Sequence, residues 1–239
     1  MNDAPHRARV VGAGRAGGAL ALALERAGWE VAGPIGRDGD VAGSAAGVDL
    51  LVLAVPESAI AGVAATVVPV DSTVVAHLAG SLGLDVLAPH RRRAVLHPLA
   101  SLPSAELGAD RLRGAWWGLS NDGDPLADAV VAALHGHALH LADADRGRYH
   151  AAAAIAANHV VALLGQAERV AASIGVPLEA YLPLVRSAVD NVAALGPAAA
   201  LTGPVRRGDW ATVERHIEAL PEAERAAYRA MVEEAKKLC

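Results

Sequence analysis

Near its start the chain runs from an apolar stretch into a glycine triplet, Val10-Val11-Gly12-Ala13-Gly14-Arg15-Ala16-Gly17, followed by alanines and leucines to about Ala27. This order allows little but a strand, a tight turn and a helix. Gly12 can make the turn off the strand, Gly14 lets the backbone approach a pyrophosphate, and Gly17 lets the helix pack closely on the sheet. The free N–H groups at the start of that helix face the anion. The spacing predicts a dinucleotide site built from Gly12, Ala13, Gly14, Arg15, Ala16 and Gly17. A tight strand-to-helix turn without a ligand is the competing reading.

The second strand-like run, Trp29 to Ala32, ends shortly before the position that reads the ribose, about 20 residues past the last glycine. An acidic group there would take the 2′-hydroxyl of NAD. Arg37 stands there instead, and a guanidinium pairs with a 2′-phosphate, so NADPH is the expected cofactor. Asp38 beside it works against that choice, and a solvated loop arginine is the alternative.

Strand and helix signals then alternate. Asp49 to Val55 is a continuous apolar run of the buried parallel type, stopped by Pro56, and Val55 and Pro56 lie where a cofactor would pass. A helix-like Glu57 to Val68, a strand Ser72 to Ala76, a short helix Leu82 to Ala88 and a strand Arg93 to Leu96 follow. Ala115 to Leu119, Pro125 to Leu134 and Ala138 to Leu141 continue the pattern, which predicts a doubly wound α/β domain over residues 1–143. From 144 to 239 the signals are helical: roughly Asp145 to Ile174, Leu178 to Leu195, Asp209 to Leu220 with Asp209 as N-cap, and Pro221 to Leu238. The fold class is α/β followed by an all-α domain.

Composition narrows the function classes. A net charge of −5 and 53% hydrophobic residues offer no basic stripe for nucleic acid. The single cysteine, Cys239, rules out a disulfide or a cysteine metal cluster within one chain. The polar segment Met1 to Arg9 does not read as a signal peptide, so the cytoplasm is expected. Ala151 to Gly165 is nearly all apolar but shorter than the ~20 residues of a membrane span. It reads as a buried helix.

In open α/β sheets ligands bind beyond the carboxyl ends of the strands. His77, followed by Leu78, Ala79 and Gly80, the last where a cofactor would pass, and His97, followed by Pro98, close two neighbouring strands, and imidazole exchanges protons near neutral pH. His97 is the expected general acid and His77 a second candidate; each could instead only cap a strand end. On the long helix, His150 and Asn158 are eight residues apart, about 80° around it. Either can meet a substrate oxygen or a core partner. Thr202 and Arg207, in Leu201-Thr202-Gly203-Pro204-Val205-Arg206-Arg207, can hold a substrate carboxylate or simply connect helices. His135, His137 and His140 straddle a helix end, a turn and a strand, so no metal site is expected.

The glycine triplet, Val55-Pro56, His77-x-Ala79-Gly80, His97-Pro98-Leu99, Tyr149-His150-Ala151-Ala152, Asn158, Asn191 and Leu201-Thr202-Gly203-Pro204 with Arg207-Gly208-Asp209 resemble one family across nearly the whole chain. These are the bacterial proteins that join a Rossmann-like domain to a helical domain of unknown function, DUF2520, relatives of the 6-phosphogluconate dehydrogenase, ketopantoate reductase and pyrroline-5-carboxylate reductase group. The resemblance implies an NADP-dependent oxidoreductase acting on a small-molecule substrate, with 2-dehydropantoate as the specific expectation, and a homodimer through the helical domain. A cyclic imine as substrate, or a nucleotide-binding sensor without turnover, are the alternatives. Ala79 stands where the family more often carries serine, and the customary catalytic lysine of the wider group is missing, because the only lysines are Lys236 and Lys237.

Overall fold

The computed structural model describes residues 5–239; Met1–Ala4, the start of the polar segment weighed above as a signal peptide, lie outside the described residues. The chain divides into two compact units, Met1–Ile155 and Ala156–Cys239. The sequence pattern changes earlier, at 143/144, but the helix Arg146–Ala154 belongs with the sheet that it packs on.

The first unit is a seven-stranded sheet in the order β2-β1-β3-β4-β5-β6-β7. Its strands are β1 (Arg7–Val11), β2 (Glu30–Ile35), β3 (Leu50–Leu53), β4 (Val74–His77), β5 (Arg93–Pro98), β6 (Trp116–Asn121) and β7 (His137–His140). All pairings are parallel except β5 with β6. Strand residues alternate between two apolar cores. Leu50 and Val52 join Leu20, Leu24, Leu112 and Trp117 on one face. Leu51 and Leu53 join Ile60, Ala64 and Leu87 on the other. With both faces covered, β3 is buried along its whole length, as its unbroken apolar run requires.

The helices of this unit are α1 (Arg15–Arg26), α2 (Glu57–Thr66), α3 (Ala105–Leu112), α4 (Leu126–Ala133) and α5 (Arg146–Ala154). The segment Leu82 to Ala88, expected as a short helix, narrows to a 3-10 turn, Leu84–Leu87. Helix α3 had no forecast; Ser104 caps it, accepting from Leu107 N at 3.2 Å, and Gly108 lets it press on Ala19 of α1.

The glycine triplet takes its predicted form. Gly12 adopts a φ of +115° directly after β1, and any Cβ there would strike the Ala54 carbonyl. A Cβ on Gly17 would strike the Gly12 carbonyl and lie 3.0 Å from Ala54 Cβ. A Cβ on Gly14 would meet nothing within 4 Å. Two glycines therefore serve packing and the middle one leaves an open backbone face.

The second unit continues from a π-helical turn, Ile155–His159, into α6 (Val160–Ala172), α7 (Leu182–Leu195), α8 (Pro197–Ala200), α9 (Gly203–Arg206), α10 (Trp210–Ala219) and α11 (Glu222–Lys236). Asp209 caps α10 as expected, accepting from Thr212 N at 3.1 Å and Thr212 Oγ1 at 2.7 Å, and these bonds hold its carboxyl below the usual range. Arg169 grips both oxygens of Glu224 at 2.6 and 3.0 Å, tying α6 to α11. The expected burial of Ala151 to Gly165 is not found: Ile155 and Val161 are exposed, since apolar content alone does not bury a helix. Among the described residues no helix is long and apolar enough to cross a membrane.

Because Gly17 touches backbone that cannot rotate away, Gly17→Ala should lower the unfolding free energy by ~1–3 kcal/mol in urea denaturation. Gly14→Ala should have a smaller effect.

Candidate active site

The strand order reverses between β1 and β3, since β2 lies on one side of β1 and β3 on the other. Their carboxyl ends, Gly12 and Ala54, touch there, and this is the crevice where open α/β sheets bind ligands. Helix α1 begins beside it at Gly14, with no side chain capping its first N–H groups. Ala13, Arg15 and Ala16 complete the turn and the first helical residues, while Val55 and Pro56 leave β3 and open α2. The Gly12 N–H donates to Ile35 O at 2.8 Å, which fixes the end of β2 beside the turn and puts exposed Arg37 two residues beyond it.

Further along the same edge, His77 closes β4 and His97 lies one residue before the end of β5. They are not equivalent. His77 is completely buried; its Nδ1 accepts from Ala79 N–H at 3.1 Å, which assigns the proton to Nε2, and Nε2 donates to Gly83 O at 3.1 Å. Both nitrogens are taken by backbone, so the ring fastens the loop after β4. Burial, the largest influence, pushes its pKa down. Leu84 N donates to Asp143 Oδ2 at 2.8 Å and fastens the same loop from the other side.

His97 meets side chains instead. Its Nδ1 lies 2.9 Å from Tyr149 Oη, and the phenol also lies 3.4 Å from the His97 carbonyl oxygen. The tautomer that satisfies both contacts carries its proton on Nδ1: the imidazole donates to the phenol oxygen, and the phenol O–H points weakly at the carbonyl. The His97 ring meets Tyr149 edge-on at 5.4 Å and His150 edge-on at 5.3 Å. Gly80 makes room for both imidazoles, because a Cβ there would run into His150 Nδ1 and sit 2.8 Å from His97 Nε2. Gly118 does the same for the phenol, with a would-be Cβ 2.5 Å from Tyr149 Oη.

Sequence reasoning expected His97 to titrate near neutrality. Burial first, then the neighbouring His150 and the Arg146 guanidinium, push it down to about 4, so it is a neutral imidazole at pH 7. Burial raises the Tyr149 pKa, keeping the phenol protonated. At pH 7 the pair is thus a neutral imidazole beside a protonated phenol.

Arg146 went unforeseen. It is fully buried, with Nε and Nη2 donating to Ser120 Oγ at 3.0 and 2.8 Å and Nη2 reaching Gly118 O at 3.4 Å. In sequence it sits among Asp143, Asp145 and Arg148 and reads as a solvated helix start. The one available signal was its spacing, i to i+3 and i+4, from Tyr149 and His150.

The remaining sequence candidates lie in the second unit. Asn158, expected among buried neighbours, is exposed in the π-helical turn, so the 3.6-residue arithmetic linking it to His150 does not apply. Thr202 is the N-cap of α9 and Arg207 its C-cap, both exposed. In the first unit, His137 stacks on Trp116 at 4.6 Å and His140 lies 3.1 Å from Asp128, so these rings turn apart.

Residues 37–103 match the model of a Rossmann-like domain and residues 118–235 that of the domain of unknown function DUF2520. The chain thus joins a region that matches a Rossmann-like domain to one that matches DUF2520. No curated protein sequence matches it. Among solved structures, it is similar to a Bacteroides fragilis protein provisionally assigned as an NADP oxidoreductase, with 19% identity over 98% of each chain and a TM-score of 0.81. A Thermotoga maritima protein is 22% identical over 97% of each chain, with a TM-score of 0.73. A Plasmodium falciparum pyrroline carboxylate reductase, solved with NADP bound, is 13% identical over 100% of this chain and 99% of its own, with a TM-score of 0.62. At these identities the likeness carries the fold.

Because the folded chain holds His97 neutral, the unfolded state binds more protons between the ordinary imidazole value of 6.5 and about 4. Stability contributed by this group is complete above that window and lost as pH falls through it, by ~3 kcal/mol at most. Chemical denaturation as a function of pH should show a decline that is shallower in His97→Gln.

Proposed function

We propose that the chain is an NADPH-dependent reductase of a small 2-oxo acid, with 2-dehydropantoate as the first substrate to try, working in the cytoplasm. The observation that carries this reading is the His97–Tyr149 pair at the carboxyl edge of a sheet whose glycine turn leaves an uncapped helix start. The turn fits a dinucleotide: the open backbone face at Gly14 and the free N–H groups of α1 suit a pyrophosphate, and Arg37 suits a 2′-phosphate. When bound, NADPH supplies a hydride at this edge.

The protein's part is the proton. Tyr149 holds it on Oη, where a developing alkoxide can take it in place of the His97 carbonyl, and His97 Nδ1–H then faces the phenolate and stabilises it. Water returns a proton to the phenol. His150 and Gly80 shape the wall beside His97. Asn158, Thr202 and Arg207 are our candidates for contact with the substrate, and the exposed Leu184, Val189, Val192 and Leu195 of α7 support a homodimer through the helical unit.

A cyclic imine is the second reading, favoured by the fold shared with the Plasmodium pyrroline carboxylate reductase. NADPH oxidation followed against a panel of oxo acids and cyclic imines separates the two. Tight NADPH binding with no turnover on any of them would instead mark a sensor.

Two expectations follow from the site. NADPH should bind more tightly than NADH in fluorescence titrations, and Arg37→Asp should narrow or reverse the difference; equal affinities in the unaltered protein would remove the role of Arg37. Tyr149→Phe should lower kcat by ~100- to 10,000-fold while leaving NADPH affinity nearly unchanged. His97→Gln, by weakening support of the phenolate, should lower kcat in the same direction, and steady-state kinetics on the identified substrate decides both.

A further inference from the structure

The least expected group in the first unit is a buried cation without a full set of partners. Arg146 has no exposed surface, and its Nη1 is buried with no hydrogen-bond partner. The nearest carboxylate, Asp143, lies 3.7 Å from Nε, beyond hydrogen-bonding range, and its other oxygen is taken by Leu84 N–H. Removing a guanidinium from water costs several kcal/mol, and neutral oxygens recover only part of that.

The way it is held gives it a direction. Ser120 O–H donates to Leu141 O at 2.7 Å, which leaves its lone pairs to Nε and Nη2 and fixes the guanidinium in place. Nη2 also reaches the carbonyl of Gly118, the residue opposite His97 in the β5–β6 ladder and the one on which the Tyr149 phenol rests. Arg146, Tyr149 and His150 occupy positions i, i+3 and i+4 of α5 and so share one face. Anchoring the first anchors the other two.

We propose that Arg146 is the positioning residue of the His97–Tyr149 pair: from inside the core it fixes the phenol against His97 and supplies the positive charge that faces the phenolate once the proton has left. The part of this that concerns proton transfer rests on the reductase reading above; the placement and the charge do not. The cation acts on both partners in one sense. It disfavours a second proton on His97, together with His150 and His77, while Glu57 at the start of α2 opposes it. It also favours loss of the proton from Tyr149, against the effect of burial. Asp143 offsets part of the charge at Arg146 itself.

The test needs no substrate. In the full chain, with His97 assigned by its loss in His97→Gln, the imidazole is titrated by NMR and Tyr149 by ultraviolet difference absorbance. Arg146→Met keeps the length and removes the charge, a replacement that buried ion sites often tolerate. The His97 midpoint should move up from about 4 and the Tyr149 midpoint should also move up. If the Met variant does not fold, Arg146→Gln keeps an amide donor for Ser120 without the charge and should give the same two shifts. Unchanged midpoints in a folded charge-free variant overturn the proposal and leave the reductase reading standing. Failure of the unaltered protein to oxidise NADPH would overturn the reductase reading and leave the titrations to decide the role of Arg146.

Discussion

The carboxyl edge of the sheet depends on the reversed pairing of β6 with β5. A parallel neighbour would set the end of another strand beside His97. The antiparallel register instead sets Gly118 opposite His97 and Ser120 opposite Val95. Gly118 has no side chain, so the Tyr149 ring can rest on its backbone, and its carbonyl and the Ser120 hydroxyl face inward to hold Arg146. One change of strand direction thereby supplies the floor, the anchor and the imidazole partner of a single phenol. In this fold the site is a property of strand register before it is a property of any one residue.

His77 and His97 show how much the surroundings decide. They end adjacent parallel strands and look alike in sequence. The chain after β4 turns back at once, so that Ala79 N–H and Gly83 O clasp the ring of His77 from both sides. β5 instead ends on Pro98, which has no N–H to offer, and His97 is met by side chains from α5. Backbone partners make an imidazole part of the scaffold; a phenol partner leaves a proton that can move.

The glycine triplet, the buried strands and the histidines at strand ends were legible because each is a local pattern: spacing, an unbroken apolar run, a polar residue closing it. The rest depends on contacts far apart in sequence. Nothing local separates β6 from a parallel strand, since alternation of side chains is the same in both directions. Arg146 reads as a solvated helix start, because its burial requires Ser120, 26 residues earlier. Helix α3 was missed since its cap, Ser104, precedes a segment broken by Gly108, whose lack of a side chain serves packing on α1 rather than a turn. Ala151 to Gly165 reads as buried from apolar content alone, yet burial needs a facing surface, and among the described residues Val161 stands exposed. Residue type alone gives His97 a neutral-pH titration, whereas desolvation and neighbouring positive charge outweigh type at such a place.

A core that held an apolar side chain in place of Arg146 would lose no strong ion pair, since the guanidinium has only neutral hydrogen-bond partners and a carboxylate at 3.7 Å. Its presence therefore does not follow from stability, for which buried ions are a weak device. What an internal cation does that a surface cation cannot is act through protein rather than water. Screening by salt is slight for buried charges, and the interaction per ångström is several times larger than at the surface. A charge placed there keeps nearly the same hold on His97 and Tyr149 whatever the ionic strength outside. The proton of Tyr149 is thus governed from behind, by a group that no substrate has to touch.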